Sequence, residues 1–354
     1  MPGSWGLHRF SGSSGPTIAG VDERAARAEQ VETLRRTVGF DAYAWVLTDP
    51  LTAVGSSPLA DAPCLPELPR LIRLKYLTPV NRWTGLDPPV ATLRSATGDD
   101  RAKSLVWREL QSSYDVGDVA SLVFRDRHGT WGFLDLWRSG TDARFSATEV
   151  AHLAGLVAPV TAALREAVGR TFDDVAPAPA RGGPSVLVLS PDLEVRAQTA
   201  ESEAVLRTLL PPCADRRPVP AAAYNVAAQL LAVESGVDQH QAAARVHLGG
   251  GTWLTLRAAR ADPADREPEA SARDIAVSIE PSSPAERADL YARAHTLSPR
   301  ETDLLLLLLE GADTRTVAAR LFLSEHTVQD HLKSVFAKTG VHTRRALLAR
   351  VTGR

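Results

Sequence analysis

LSPRETDLLLLLLEGADTRTVAARLFLSEHTVQDHLKSVFAKTGVHTRRALLARV, residues 297–351, holds the densest run of helix boundaries in the chain. Three start signals fall in its first five residues. Ser298 is placed to cap, Pro299 suits the first helical position, and Glu301 closes a capping box. The helix continues through Leu304–Leu309 and stops at Gly311. Asp313 caps a short second helix over Thr314–Leu321, with Val317 and Leu321 facing inward. Phe322 and Leu323 make the turn. Ser324 then caps a third helix from Glu325 to about Thr339, ended by Gly340, and Thr343 caps a fourth. Four short helices with a tight turn between the second and third describe a helix-turn-helix module.

The third helix has two unlike faces. Val328, Leu332, Val335 and Phe336 share a side and belong in a core. The opposite side carries Thr327, Gln329, Asp330 and Lys333, with Lys338 one turn on. A helix of this kind fits the ~12 Å wide major groove of B-DNA. The six leucines at 304–309 point all round their helix, which favours core packing and a partner surface over a zipper. His326 and His331 lie near the polar face, but no Cys/His spacing makes a zinc site.

The segment resembles the LuxR-type (GerE-type) DNA-binding domain along its whole length: LSPRE, Gly311, VAARLFLSEHTV, HLKSVFAKTGV and Arg344. The resemblance implies that bases are read from Gln329, Asp330 and Lys333. Gln pairs with adenine, Asp accepts from cytosine N4, and Lys donates to guanine. Arg315, Thr327, Lys338 and Arg344 are then expected on the DNA backbone, where contacts position without specifying. Asp330 departs from the family, in which a neutral or basic residue is more usual there.

Charge agrees once it is divided. The whole chain has 40 basic and 42 acidic residues, a net charge of −2 that by itself argues against nucleic acid. Residues 295–354 hold nine Arg/Lys against six Asp/Glu, a net +3, leaving 31 against 36 and −5 elsewhere. A domain so modestly basic is expected to bind one half-site weakly and to need a homodimer on double-stranded promoter DNA.

Outward from this module, 354 residues leave room for two further domains. Residues 1–20 are Gly/Ser/Pro-rich and read as a disordered tip. DDVAPAPARGGP, 173–184, reads as a linker. Within 21–172, Asp22–Val38 has helical spacing and Asp41–Thr48 alternates as a strand. Val119–Phe124 and Trp131–Arg138 form a hairpin, with Trp131, Phe133 and Trp137 expected on one face and Leu134 and Leu136 on the other. Ser146 with Glu149 opens a long helix bearing Val150, Leu153, Leu156, Val157, Val160 and Leu164. The blocks GDVASLVFRDRHGTWGFLDLWRSG and FSATEVAHLAGLVAPVTAALREAV resemble a GAF domain, the small-molecule sensor module. That likeness implies a ligand pocket, for which Trp45, Trp131 and Trp137 are candidates, although ordinary core is the commoner role of such residues.

Residues 185–283 alternate strand-turn-strand, helices near 200–210 and 220–233, then three strands, in the order of a PAS domain. The Gly249–Gly251 run joins two of these strands and lacks the Lys-Ser/Thr of a phosphate loop, so it reads as a turn. Ala261–Arg273 reads as a polar surface loop. Pro284–Ala294 is a connecting helix into 295–354. The fold class is multidomain α+β: GAF-like and PAS-like mixed α/β units followed by an all-α four-helix helix-turn-helix domain. The long helix 146–170 and the helix 284–294 are candidate dimer contacts.

Other classes are weaker. Cys64 and Cys213 lie far apart and build neither a disulfide framework nor a metal site, which fits a reducing, cytoplasmic location. The longest apolar run, Leu304–Leu309, is far short of the ~20 residues of a membrane helix, and no membrane role is expected. GxSxG, HExxH, P-loop and kinase motifs are absent, so no catalytic residues, cofactor or enzymatic activity are expected. The tryptophan-tyrosine-aspartate pattern of acyl-homoserine-lactone receptors is not evident either. The alternative is a signalling or scaffold protein acting mainly through protein contacts of its N-terminal domains.

Overall fold

The computed structural model describes residues 19–173, 185–200, 220–261 and 273–353. The expected tip, nearly all of the 173–184 linker and the 261–273 loop, and the helix near 200–210 lie outside the described residues.

The first unit is a five-stranded antiparallel sheet in the order β2-β1-β5-β4-β3, built from β1 (Ala42–Thr48), β2 (Gly55–Asp61), β3 (Val90–Thr92), β4 (Val116–Asp126) and β5 (Gly129–Ser139). Helices α1 (Ala19–Thr37) and α5 (Ala147–Arg170) cover one face, packing Val31, Leu34, Leu153, Val157 and Leu164 against Trp45, Leu122, Leu134 and Leu136. The capping box that opens α5 is formed by Ser146 and Glu149. By length and composition α5 is apolar enough to cross a membrane, unlike the expectation from uninterrupted runs. Its buried residues lie on the sheet. Helices α2 (Leu68–Leu77), α3 (Leu93–Thr97) and α4 (Leu105–Glu109) cover the opposite face around Leu74, Val119 and Trp137.

One expectation about this sheet fails. Trp131 does not share a face with Phe133 and Trp137; it packs in the core of Leu134 and Leu136. Arg125 pairs with Thr130 and Phe124 with Gly132, so Trp131 is the extra, unpaired residue of a β-bulge. A bulge breaks the two-residue alternation and re-aims the side chain.

The second sheet comprises β6 (Ser185–Leu189), β7 (Val195–Gln198), β8 (Ala243–Gly249), β9 (Thr252–Arg260) and β10 (Ile275–Pro281), in the order β7-β6-β10-β9-β8. Counted within each unit, both sheets read 2-1-5-4-3. Helix α6 (Ala221–Glu234) is buried almost all round, and its alanines let both units approach. Ala223, Val226 and Ala227 join one core with Val54, Tyr76, Trp83 and Phe133 of the first unit and Leu187, Leu256 and Val277 of the second. The two sheets therefore share a core through α6.

Helix α7 (Pro284–Ala294) leads into α8 (Pro299–Leu309), α9 (Thr314–Leu321), α10 (Glu325–Thr339) and α11 (Arg344–Thr352), the C-terminal helical domain. A candidate dimer contact in the sequence, α7 is in fact enclosed by its own chain: Arg287, Ala288, Leu290, Tyr291, Ala292 and Ala294 are buried. Its apolar side chains meet Phe172, in the turn after α5, and Trp253 of β9 on one side and the α8 leucines on the other.

Candidate nucleic-acid interface

Four local caps build the C-terminal domain. Ser298, Asp313, Ser324 and Thr343 each accept the backbone N–H three residues on, at 3.3, 2.7, 3.1 and 3.1 Å. These are N-cap bonds that satisfy otherwise orphaned amides. Leu304, Leu305, Leu308, Val317, Leu321, Val328, Leu332, Val335, Leu347 and Val351 close one core, and Phe336 packs at its edge.

The buried side of α10 is fixed by more than apolar contact. Glu301 is 4% exposed and belongs to the α8 capping box, yet it also receives α10. Its Oε1 accepts from the Ser334 hydroxyl at 2.6 Å, and its Oε2 accepts from the Lys338 ammonium at 2.6 Å and the Ser298 N–H at 2.6 Å. Burial alone would push this carboxyl up. The Lys338 ammonium, the Ser298 amide and the Ser334 hydroxyl outweigh it and hold it at about 2. Lys338 and Ser334 are one helical turn apart, so the rotation of α10 about its axis is pinned.

The outward side then presents the expected residues. Gln329, Asp330 and Lys333 are all exposed and adjacent. Lys333 Nζ lies 3.1 Å from Asp330 Oδ1, and His326 Nε2 lies 3.6 Å from Asp330 Oδ2. The Lys333 hydrogen bond holds the Asp330 carboxyl below the usual carboxylate range. Gln329 Nε2 donates to Thr314 Oγ1 at 3.4 Å, which ties the polar face to the start of α9. Arg315 is exposed on that same helix. The remaining backbone candidates are partly engaged within the chain. Thr327 exchanges a 2.9 Å hydroxyl bond with the Ser324 cap, Arg344 donates to the Ala312 carbonyl, and Lys338 is turned onto Glu301.

Gln329, Asp330 and Lys333 thus share one exposed face of α10, and Arg315 is exposed on α9 next to Thr314, which Gln329 touches. Lys338 is anchored inward by its ammonium. Sequence reading assigned Glu301 only its cap, and gave His326 no place beside Asp330. The 33 and 37 residues separating Glu301 from Ser334 and Lys338 leave no local signal. The i, i+4 spacing of His326 and Asp330 was such a signal.

The ligand candidates in the first unit are separated. Trp45 and Trp131 lie in the α1/α5 core, and Trp137 lies across the sheet beside Cys64 and Trp107. All three are buried, and the indole N–H groups of Trp45 and Trp137 have no hydrogen-bond partner among the described residues. Trp131 donates to Asp126 at 3.1 Å.

The helical domain is fastened to the sheets. Arg287 on α7 donates to the carbonyls of Val351 at 2.7 Å and of Gly251, in the β8–β9 turn, at 2.7 Å. Arg350 pairs with Asp173 at 3.2 Å. Buried Arg245 on β8 holds Asp49 of the first unit with 2.6 and 2.7 Å bonds and Asp289 of α7 at 2.9 Å.

A compact four-helix module with a tight turn and one exposed polar helix face has the form of a helix-turn-helix DNA-binding domain. Residues 295–351 match the family model of bacterial regulatory proteins, luxR family, so this segment is a LuxR-type helix-turn-helix domain. Proteins described as HTH-type transcriptional regulators in Mycobacterium bovis and Mycobacterium tuberculosis are 45% identical over 49 residues, 14% of this chain. That match covers 6% of those regulators' own length. Among solved structures, Escherichia coli SdiA is 12% identical with a TM-score of 0.33, over 93% of this chain and 91% of that one. The sensor region of a sensor histidine kinase is 14% identical with a TM-score of 0.18, over 75% and 93%. Scores this low define no common fold.

Proposed function

We propose that the chain is a sequence-specific DNA-binding transcriptional regulator, with residues 295–354 as its reader. The observation that carries this is the outward cluster of Gln329, Asp330 and Lys333 on a helix whose other side is locked to its own domain. Gln329, Asp330 and Lys333 read base edges. Arg315, Thr327 and Arg344 meet phosphates, while Lys338, paired with Glu301, sets the orientation of α10.

Residues 21–172 and 185–283 are the signal-receiving part, GAF-like and PAS-like in turn, joined to the reader by 284–294. The shared 2-1-5-4-3 antiparallel order supports this assignment. A small molecule with a hydrogen-bond acceptor would satisfy the indole N–H of Trp45 or Trp137, groups that otherwise cost about 1–3 kcal/mol each. Such a ligand, or a protein partner, acts by favouring one of two arrangements of the reader. The protein works in the cytoplasm as a homodimer on two half-sites, with the outward side of α5 as its contact; Ala151, Ala154, Ala158 and Ala162 are exposed there.

Fluorescence anisotropy of the full chain on promoter fragments tests the core of this reading. Affinity should fall about tenfold for every two phosphate contacts between 50 and 200 mM salt. Q329A and K333A should weaken binding to the preferred fragment. Salt-independent binding, or variants that bind every fragment as the parent does, would favour a scaffold acting through protein contacts.

A further inference from the structure

We propose that Asp330 and Lys333 act as one unit that reads a single C·G pair, the carboxylate on the cytosine amine and the ammonium on guanine. The proposal rests on the DNA-reading function above and names the base pair it recognises.

The two side chains stand one helical turn apart on the outward side of α10, 55% and 74% exposed, and are joined at 3.1 Å. Because Ser334 and Lys338 are both bonded to Glu301, α10 cannot roll to hide them. A lone carboxylate entering a groove walled by phosphates is repelled. Joined to an ammonium it enters with no net charge. His326 Nε2 stands 3.6 Å from the second carboxylate oxygen, one turn back along the helix.

The geometry then selects the base pair. In the major groove a C·G pair offers the cytosine N4 donor beside the guanine O6 acceptor, with N7 next to it. N4 and O6 are themselves hydrogen-bonded, about 2.9 Å apart. An acceptor and a donor held 3.1 Å apart on the protein match that spacing, carboxylate to N4 and ammonium to O6 and N7. An A·T pair places its donor between two acceptors and sets a methyl group beside one of them. The ammonium then has one acceptor where guanine gives it two adjacent ones. The pair also has a direction, since Asp330 must lie toward cytosine and Lys333 toward guanine.

Selection of bound duplexes from a random-sequence pool, using the full chain, tests the unit. The parent should fix C·G at one position of each half-site. D330N should lose the preference for C·G there by about tenfold or more and move toward A·T, since an amide suits adenine. K333A should relax the same position and no other. Both residues are exposed, and thermal unfolding should show both variants folded like the parent. A parent motif unchanged by D330N overturns the proposal, as do two substitutions that alter different positions. A parent that enriches no sequence overturns the DNA-reading function and this pairing with it.

Discussion

The two sheets repeat one strand order but are covered differently. In the first, β4 and β5 are buried along most of their length, because helices lie on both faces. In the second, β6 and β10 alternate buried and half-buried residues, since among the described residues only the face toward α6 is fully closed. Its β8–β9 hairpin goes to the reader: Trp253 packs with Phe172 and Tyr291, and Gly251 receives Arg287. One topology thus serves as a closed unit in the first case and as a joint in the second. What distinguishes them is the polar chemistry at their edges, where Arg245 ties the joint to Asp49 of the closed unit.

Removing that tie should give the largest effect. Asp49 lies wholly buried; burial would push its carboxyl up, and the Arg245 guanidinium beside it holds it down. R245A leaves this carboxylate without its partner, which costs about 3–5 kcal/mol in comparable buried pairs. Urea unfolding followed by tryptophan fluorescence should show both sheets lost in one transition at lower denaturant. Two separated transitions would mean that the shared α6 core does not couple the sheets.

Next comes the joint itself. Arg287 is 6% exposed, caps the end of α11 and lies over the Phe172 ring at 5.3 Å. R287A should cost about 2 kcal/mol, a value typical of charged hydrogen bonds. The loss should be local: amide exchange should quicken in α11 and the β8–β9 turn while β4 and β5 stay protected. Uniform quickening would erase the distinction between joint and closed unit.

Acid should dissect the same regions in sequence. His247, on β8 beside Trp253, is held down to about 4 by burial and by the Arg287 charge. Its unfolded form takes a proton near pH 6.5, the folded form only near 4, so its contribution is complete above 6.5 and falls as pH drops through that window. Glu301 follows, complete above about 4.5 and lost toward 2. A pH series of unfolding midpoints should therefore decline first at the joint. H247F should shrink the upper limb, to which His128 and His295, both lowered by burial, also contribute. E301Q should shrink the lower, which Glu149, held at about 2 chiefly by Arg138, shares.

How much of this could be read from the chain follows the range of the forces. The reader was legible because its signals are local: Ser298, Asp313, Ser324 and Thr343 lie three residues from the amides they cap, and Val328, Leu332 and Val335 follow helical spacing. Long alternating strands and the Ser146 cap were legible for the same reason. Strand β2 was not, since Pro58 interrupts a polar run that only an edge position tolerates. The Trp131 bulge needed the partner strand to be seen. Glu301 to Lys338 and Arg245 to Asp49, 37 and 196 residues apart, are products of the folded chain alone. For the proposed base-reading face, sequence supplied the residues, and the Glu301 anchor supplies the reason they point outward.

The smallest effect compares one backbone conformation in two settings. Phe322, in the turn before α10, has φ 56° and is 94% exposed, while Leu193, in the turn between β6 and β7, has φ 65° and is fully buried. Left-handed φ strains any residue with a Cβ and suits glycine. At Leu193 the side chain fills the α6 core, so L193G should lose more packing than it gains in relief and should destabilise. At Phe322 almost no packing is lost. F322G should stabilise the reader by about 0.5–1 kcal/mol, part of the relieved strain being offset by the greater freedom of an unfolded glycine. Thermal unfolding of both variants checks the signs. A destabilised F322G would show that the ring makes contacts within the folded chain that its exposure does not reveal.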